Sequence, residues 1–262
     1  MTRRLPEPPG LFVVGIDGTG SEVVRLVLGH GDDPVTLLAG YGWQVQRARD
    51  VSSDTSGKHV LTLFFVVQRH VVAPLHVGVP LHRDKDLVTI EGEVPQPNQR
   101  VAAYAFVTSS RGVLMTQFSG RTNAGGQWGL PGGGLERAEA PERAVVREAW
   151  EESGQVIEVG ALALIQTTRW LGRAPSGRLE DFHAVRIVYR ASCHSPTEPV
   201  VHDVGGTTAS AAWVPPTDLD RLDVAPSWRW LMSGAVMAPD EANDPEHHQQ
   251  QTDAHDRARP QL

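Results

Sequence analysis

The first third of the chain alternates short apolar runs with turn residues. The segment 32–38 opens with two aspartates and a proline, an N-cap followed by a proline near the first helical position, and it predicts a short helix. The strand-like runs 43–51 and 59–68 flank the polar loop 52–57, which predicts an antiparallel hairpin. We therefore expect a small α+β domain over residues 1–94.

The second half of the chain combines strand and helix patterns in the same way. The runs 101–108 and 113–118 flank a short polar turn and predict a second hairpin. A helix is predicted to begin at Pro141 and to stop at Gly154, since proline suits the first turn and glycine suits the end. Further strands are predicted at 161–168, 183–191 and 211–214, and further helices at 215–222 and 226–236.

A polar, proline-containing segment separates the two halves. Residues 95–99 read Pro-Gln-Pro-Asn-Gln, a composition typical of linkers, and we place the domain boundary there. The second domain then spans residues 100–237. From residue 238 to residue 262 the chain has six acidic residues, two arginines and few aliphatic residues, too little apolar surface to offset the entropy of ordering. We expect 238–262 to be a disordered acidic tail.

Composition and charge exclude several classes of protein. The apolar runs are far shorter than the ~18 to 20 residues that a membrane-spanning helix requires, so we expect no membrane partner. The formal net charge is -7 and no basic stripe is present, which argues against polymeric nucleic acid as a partner. The single cysteine, Cys193, cannot form an internal disulfide, and this fits a cytoplasmic protein.

Three acidic residues share one face of the predicted helix 141–154. Glu148, Glu151 and Glu152 lie at positions i, i+3 and i+4, so that their carboxylates converge. Like charges at this spacing destabilise a helix by about 0.2 to 0.5 kcal/mol per pair. A bound divalent cation reverses that effect, and oxygen ligands suit Mg2+ or Mn2+. The pattern therefore indicates a metal site.

A solvated helix face is the alternative for these carboxylates. In that interpretation, Arg143 and Arg147 pair with glutamates at four-residue spacing. The glycine-rich segment 128–134, directly upstream, favours the metal site. Glycine lets the backbone approach closely and take unusual dihedral angles, as a loop must if its carbonyl is to reach a metal ion.

The segment from Gly133 to Gln155 resembles the signature of the Nudix hydrolases. That signature reads Gly, five residues, Glu, seven residues, Arg-Glu, an aliphatic residue, any residue, Glu-Glu, any residue, Gly and an aliphatic residue. The fixed identities all match, within about 23 residues, whereas the resemblance in fold covers roughly 100–236. It implies an α/β/α sandwich with a mixed β-sheet. The expected fold class is therefore α+β, with this sandwich preceded by the small α+β domain.

The resemblance also implies an activity and a set of residue roles. The reaction is hydrolysis of a nucleoside diphosphate linked to another moiety, by attack of water on phosphorus with divalent ions bridging the phosphate oxygens. The implied metal ligands are Gly132, Glu148, Glu151 and Glu152, the implied catalytic residues are Glu148, Glu151, Glu152 and Arg147, and Arg147 with Glu139 forms a supporting pair. Mg2+ is the implied cofactor, with Mn2+ as an alternative. Glu148 is one candidate for the general base.

The segment departs from the family pattern at two packing positions and in one loop. Ala149 stands where a larger aliphatic residue is usual, and Gln155 stands at the closing aliphatic position. Many relatives carry another acidic residue before the position of Trp213, but 207–212 has none. The nearest acidic substitutes are Asp203, Glu198, Asp181 and Glu180. Solvated loop carboxylates are the ordinary interpretation of these four residues.

Substrate and partners are defined only by class. The expected partner is a small-molecule nucleotide, and ADP-ribose-like compounds and (d)NTPs both stay open, as does a homodimer. The candidates for base stacking are Trp128, Trp170 and Tyr189, and those for phosphate contacts are Arg121, Arg169 and Arg186. Core packing and surface exposure are the ordinary alternatives for them. The alternative function is a catalytically weak nucleotide-sensing module with an N-terminal interaction domain.

Overall fold

The computed structural model describes residues 9–70, 78–122, 124–174 and 176–229, and the strands within these ranges form two β-sheets. The strands are Gly10–Ile16 (β1), Glu22–Val27 (β2), Trp43–Asp54 (β3), Val60–Arg69 (β4), Leu81–Arg83 (β5), Gln96–Ser109 (β6), Gly112–Phe118 (β7), Trp128–Gly129 (β8), Gly132–Gly134 (β9), Glu158–Arg173 (β10), Leu179–Ser192 (β11) and Thr208–Val214 (β12). The helices are Pro34–Gly40 (α1), Pro141–Ser153 (α2), the 3-10 helix Pro216–Arg221 and Pro226–Arg229 (α3). No helix within these ranges is long and apolar enough to cross a membrane.

The first sheet has the strand order β2-β1-β4-β3. β1 runs parallel to β4, and the other two pairs are antiparallel. The predicted hairpin is confirmed as β3 and β4. The predicted short helix is confirmed as α1, where the Asp33 side chain accepts hydrogen bonds from the backbone N–H groups of Val35 and Thr36. Such a cap satisfies amide groups that have no partner inside the helix.

The second sheet is mixed and has the strand order β12-β7-β6-β11-β10-β5. β6 and β11 run parallel to each other, as do β10 and β5, whereas the remaining neighbours on this path are antiparallel. β8 pairs with β7, and the glycine strand β9 pairs with β6. The mixed sheet with its helix α2 confirms the predicted α+β fold class.

The segment predicted to be a linker lies partly in a strand. Gln96 to Gln99 open β6 and pair with Glu180 to His183 of β11. The polar side chains have partners there: Asn98 donates to a Glu180 carboxylate oxygen over 2.6 Å, and Gln99 donates to the Gly29 carbonyl over 3.2 Å. The division into domains stays a prediction. The predicted tail 238–262 lies outside the described residues, and of the predicted helix 226–236 only 226–229 is described.

Helix α2 is the element that positions the acidic residues. Pro141 occupies its first turn, and Gly154 ends it in the left-handed conformation at φ 68°, with its N–H donating to the Trp150 carbonyl. Ala144, Val145 and Ala149 are buried in the hydrophobic core. This core combines residues of α2, the first sheet and one face of the mixed sheet.

Candidate active site

Arg147 is the centre of an ionic network on α2. Its Nε and Nη2 atoms donate to the two Glu139 carboxylate oxygens over 2.8 and 2.9 Å. Its Nη1 donates to Glu148 over 2.8 Å and to Glu151 over 3.1 Å, and its Nη2 also reaches the Gly134 carbonyl over 3.2 Å. Burial raises the pKa of Glu139, but the hydrogen bonds from Arg147 outweigh that effect and the pKa is lowered. A single guanidinium thus ties three carboxylates to the glycine strand.

Glu152 lies deeper than the other acidic residues, with 6 % of its surface exposed. The backbone N–H of Gly132 donates to its Oε2 over 2.9 Å, and the Thr208 hydroxyl donates to its Oε1. Burial raises the pKa of Glu152 to about 7, although these two hydrogen bonds favour the ionised form. The negative charges of Glu148 and Asp203 raise it further. The ionised carboxylate is therefore held at an electrostatic cost that a cation would reduce.

The glycine strand fits between β6 and the carboxylates because it has no side chains. Gly132 pairs with Tyr104 and has a φ of 145°. A Cβ atom at Gly132 would lie 2.6 Å from the Tyr104 Cα, and one at Gly133 would lie 2.7 Å from the Glu148 Cδ. Both distances are below those found in proteins. At Gly132 the close atoms belong to the backbone of β6, so that glycine is required there, whereas a side chain at Gly133 would displace the Glu148 carboxylate.

We expect Gly132→Ala to lower the free energy of unfolding by about 2 to 4 kcal/mol, since it combines a disfavoured φ with overpacking. Gly120→Ala is the control, because a Cβ there meets nothing within 4 Å and the φ is not positive. Urea denaturation of the two variants measures the difference. Equal midpoints for both variants would show that the glycine strand tolerates a side chain.

The three glutamates do not meet at one point in the structure. Among the described residues, no three His, Cys, Asp or Glu side chains are grouped so that they could hold a metal ion. Arg147 draws Glu148 and Glu151 to its own Nη1, while Gly132 and Thr208 hold Glu152 apart from them. The three carboxylates therefore do not come together as the helix spacing predicts. Helix spacing fixes only the direction in which each side chain leaves the helix, whereas rotamers and hydrogen-bond partners determine the positions of the carboxylate oxygens.

Charge and donor chemistry nevertheless fit a divalent cation. Three carboxylates, those of Glu139, Glu148 and Glu151, pair with one guanidinium, and the charge of Glu148 also acts on Glu152, so that the cluster has an excess of negative charge. Carboxylate oxygens are hard ligands of the kind that Mg2+ and Mn2+ prefer. Glu148 is also shielded from solvent, and this burial raises its pKa.

Of the four acidic residues considered as loop substitutes, Asp203 acts on the cluster. Its backbone N–H donates to the Glu151 carbonyl over 3.0 Å, and its charge raises the pKa of Glu152. The other three make ion pairs elsewhere: Glu198 with Arg111, Asp181 with Arg169, and Glu180 with Arg178. Of these four residues, Asp203 is the one that lies next to the acidic cluster.

Two functional details were not predicted from the sequence. Thr208 holds Glu152, yet nothing in the sequence distinguishes it from Thr207, which is exposed. Gln155 is buried at the closing aliphatic position, where its carbonyl accepts from the Thr197 backbone N–H over 3.0 Å and its amide donates to the Ser153 carbonyl over 3.1 Å. Hydrogen bonds thus replace the expected apolar contact.

The other candidate substrate residues are mostly engaged in packing. The Tyr189 hydroxyl donates to Glu142 over 2.9 Å, and Trp170 stacks on Phe182 at 5.1 Å between ring centroids. Arg169 pairs with Asp181. These contacts favour structural roles for Tyr189 and Arg169.

Comparison with known proteins identifies the fold of this region. The family model described as NUDIX domain matches residues 98–233. A MutT-like protein of Streptomyces ambofaciens is 40% identical over 81 residues, which are 28% of this chain and 52% of that protein, so the match spans about half of the relative's length. Solved structures that resemble the chain include a MutT protein of Methanosarcina mazei Go1, with 18% identity, a TM-score of 0.42 and coverage of 55% of this chain and 96% of that one. Another is a MutT NUDIX hydrolase of Burkholderia pseudomallei, with 28% identity, a TM-score of 0.40 and coverage of 52% and 97%.

Proposed function

The chain belongs to the Nudix hydrolase family, and we propose that it is a Mg2+-dependent pyrophosphohydrolase. Its substrate would be a nucleoside diphosphate linked to another moiety, such as ADP-ribose, or a (d)NTP. The single observation that supports this proposal best is the cluster in which Arg147, the glycine strand and Glu152 are joined by hydrogen bonds. All the charged residues of the family signature belong to it or adjoin it.

The acidic residues and the glycine strand are the groups that would hold the metal. We assign Glu148, Glu151, Glu152 and the Gly132 carbonyl to this role, with Mn2+ as a substitute for Mg2+. A divalent ion supplies neutralisation of the phosphate charge and a more acidic attacking water. Two features support this assignment. These residues offer oxygen ligands, and their carboxylates carry more negative charge than Arg147 neutralises.

Other roles at the site are to orient the proposed metal ligands and to accept the proton of the attacking water. Arg147 with Glu139 fixes the helix against the glycine strand, so that Glu148 and Glu152 approach it from α2. Glu148, with its pKa raised by burial, is our assignment for the group that accepts the proton of the attacking water. Asp203 adds negative charge next to Glu152 and is the second candidate for that step.

A panel of nucleotides tests the proposal. Purified protein would be incubated with ADP-ribose, ATP and the dNTPs in the presence of Mg2+, and the products would be separated by anion-exchange chromatography. We expect at least one substrate to be cleaved at a phosphoanhydride bond, and the cleavage to stop in EDTA. Binding of these nucleotides without any turnover would instead support a nucleotide-sensing module.

We expect Thr208→Val to raise the Mg2+ concentration needed for half-maximal rate by about 10- to 100-fold, with a smaller change in the rate at saturating Mg2+. The reason is that groups that orient a metal ligand have effects of this size on affinity. Thr207→Val is the matched control, because that neighbouring side chain is exposed. A Mg2+ dependence that is the same in both variants would contradict the role given to Thr208.

A further inference from the structure

The C-terminal end of α2 is capped by a segment that is distant in sequence, residues 200–206, which we call the 200–206 loop. The last carbonyl groups of a helix have no partner inside the helix and must find one elsewhere. The backbone N–H groups of His202 and Asp203 both donate to the Glu151 carbonyl, over 2.7 and 3.0 Å. The loop is therefore bonded to the turn of α2 that carries two of the acidic residues.

A stack of two rings holds the same loop. The His202 imidazole lies flat on the Trp150 indole, with 4.4 Å between the ring centroids and 16° between the ring planes. Gly154 makes room for the loop, since a Cβ atom there would lie 2.9 Å from the His202 Nε2 and 3.2 Å from the Val200 carbonyl oxygen. Trp150 is 50 % exposed, so that burial in the core does not account for the position of its ring.

The loop is anchored a second time where it enters β12. The Ser119 hydroxyl donates to the Gly206 carbonyl over 2.9 Å, and the Ser119 N–H donates to the Thr207 carbonyl over 2.7 Å. Asp203 lies between this anchor and the end of α2. Within the described part of the chain, no ion pair holds its carboxylate. The position of Asp203 therefore depends on the contacts of the loop that carries it.

Electrostatic forces alone would move the Asp203 carboxylate away from α2. The C-terminal end of a helix is the negative end of its dipole, which repels an anion. The charge of Asp203 also raises the pKa of Glu152, so that the two carboxylates act on each other. Because this repulsion opposes the observed position, the loop needs contacts that do not depend on charge. The stack of His202 on Trp150 is such a contact.

We propose that Trp150 and His202 are positioning residues, which hold Asp203 beside Glu152 for the reaction. This inference rests on the proposed function, in which Asp203 adds negative charge next to Glu152 and is the second candidate for accepting the proton. The two rings act through Asp203 and do not touch the reacting atoms. Without the stack, the loop keeps its backbone hydrogen bonds for a smaller fraction of the time, and Asp203 moves away from the acidic cluster.

A double-mutant cycle tests whether His202 acts through Asp203. The values of kcat at saturating Mg2+, with the best substrate of the nucleotide panel, would be compared for the wild type, His202→Ala, Asp203→Asn and the double variant. We expect His202→Ala to lower kcat by about 10-fold, because small displacements of a reacting group have effects of this size. In the Asp203→Asn background, the same substitution should change kcat by less than about twofold.

Two further variants separate stacking from other roles of the imidazole. His202→Phe keeps a flat ring against Trp150 and should restore most of the wild-type kcat. His194→Ala is the matched control, because that histidine is exposed and pairs with Glu158. We expect its kcat to equal that of the wild type.

Hydrogen exchange of the Asp203 amide, followed by NMR, measures the position of the loop without any turnover. This N–H group donates to the Glu151 carbonyl, and it is released when the loop leaves α2. We expect its exchange to be about 2- to 10-fold faster in His202→Ala and Trp150→Ala, in line with the strength of an aromatic pair. In His202→Phe the exchange should stay at the wild-type rate.

The two measurements distinguish a failure of this inference from a failure of the proposed function. An unchanged kcat in His202→Ala, or an equally large effect of His202→Ala in the Asp203→Asn background, would overturn the inference and leave the hydrolase intact. A wild type that hydrolyses no nucleotide would contradict the hydrolase, and amide exchange would then test the loop by itself. Unchanged exchange in both His202→Ala and Trp150→Ala would overturn the inference in either case.

Discussion

Glu152→Gln should lower the hydrolysis rate by about a thousandfold at saturating Mg2+, while the protein keeps its fold. The estimate follows from the loss of several kcal/mol of charge stabilisation when one anionic ligand becomes neutral. The side chain keeps its size, and the amide can still accept from the Gly132 N–H and contact Thr208. Glu158→Gln is the control, because that carboxylate is exposed and pairs with His194. Steady-state rates with the best substrate of the panel measure the effect.

The same variant has an expected effect on stability with a definite sign. Burial raises the pKa of Glu152 from an ordinary 4.5 to about 7, so the folded protein disfavours its ionised form. The wild type therefore loses stability as the pH rises from about 4.5 to about 7. Glutamine has no charge to bury. At about pH 8 in EDTA, Glu152→Gln should be at least as stable as the wild type, by up to about 3 kcal/mol.

Urea unfolding in EDTA at about pH 5 and about pH 8 measures that difference. The gap between variant and wild type should widen toward the higher pH. If Glu152→Gln were inactive and also less stable at about pH 8, its inactivity would be a folding defect and would carry no weight for the metal assignment. Full activity in the variant would reject the role of Glu152 outright.

Replacement of Arg147 should lower the stability of the protein, because three carboxylates pair with this one side chain. Arg147→Gln leaves Glu139, Glu148 and Glu151 without their shared cation, and removal of one partner of a buried pair costs about 3 to 5 kcal/mol. The Arg147 side chain is 23% exposed, which reduces the expected loss to about 2 kcal/mol. We expect the midpoint of urea unfolding to fall and the hydrolysis rate to fall with it.

Arg143→Gln is the matched control for this prediction. Arg143 lies one turn earlier on α2, and its side chain is exposed. We expect its free energy of unfolding to stay within about 0.5 kcal/mol of the wild type, as is usual for surface substitutions. Equal losses in both variants would mean that the network around Arg147 contributes nothing beyond helix propensity.

The sequence predicts those parts of the site that depend on local spacing. Pro141 and Gly154 bound the acidic helix as predicted, and the glycines before it take the predicted close approach and unusual dihedral angles, with Gly132 at a φ of 145°. The arrangement of the three glutamates could not be predicted in the same way. Helix periodicity puts them on one face. However, Arg147 binds the carboxylate of Glu151, whereas the Gly132 N–H binds that of Glu152, so that the oxygens end at different places.

Contacts between distant segments are the other limit of the sequence analysis. Residues 96–99 have the composition of a linker, yet they pair with β11, more than 80 residues later in the chain. Thr208 reaches Glu152 across 56 positions, and no local pattern selects it over Thr207. Asp203 was identified as one of four substitutes, and its position beside Glu151 and Glu152 depends on how the loop folds over the end of α2.

Binding of Mn2+ tests most directly whether the acidic helix and the glycine strand hold a divalent cation. Electron paramagnetic resonance measures the free Mn2+ that remains when the metal is titrated into the protein with ADP present. We expect the wild type to remove at least one equivalent of Mn2+ from solution, and Glu152→Gln to remove much less, while Glu158→Gln matches the wild type. If the free Mn2+ signal were the same with wild-type protein, with Glu152→Gln and without protein, the proposed metal site would be wrong.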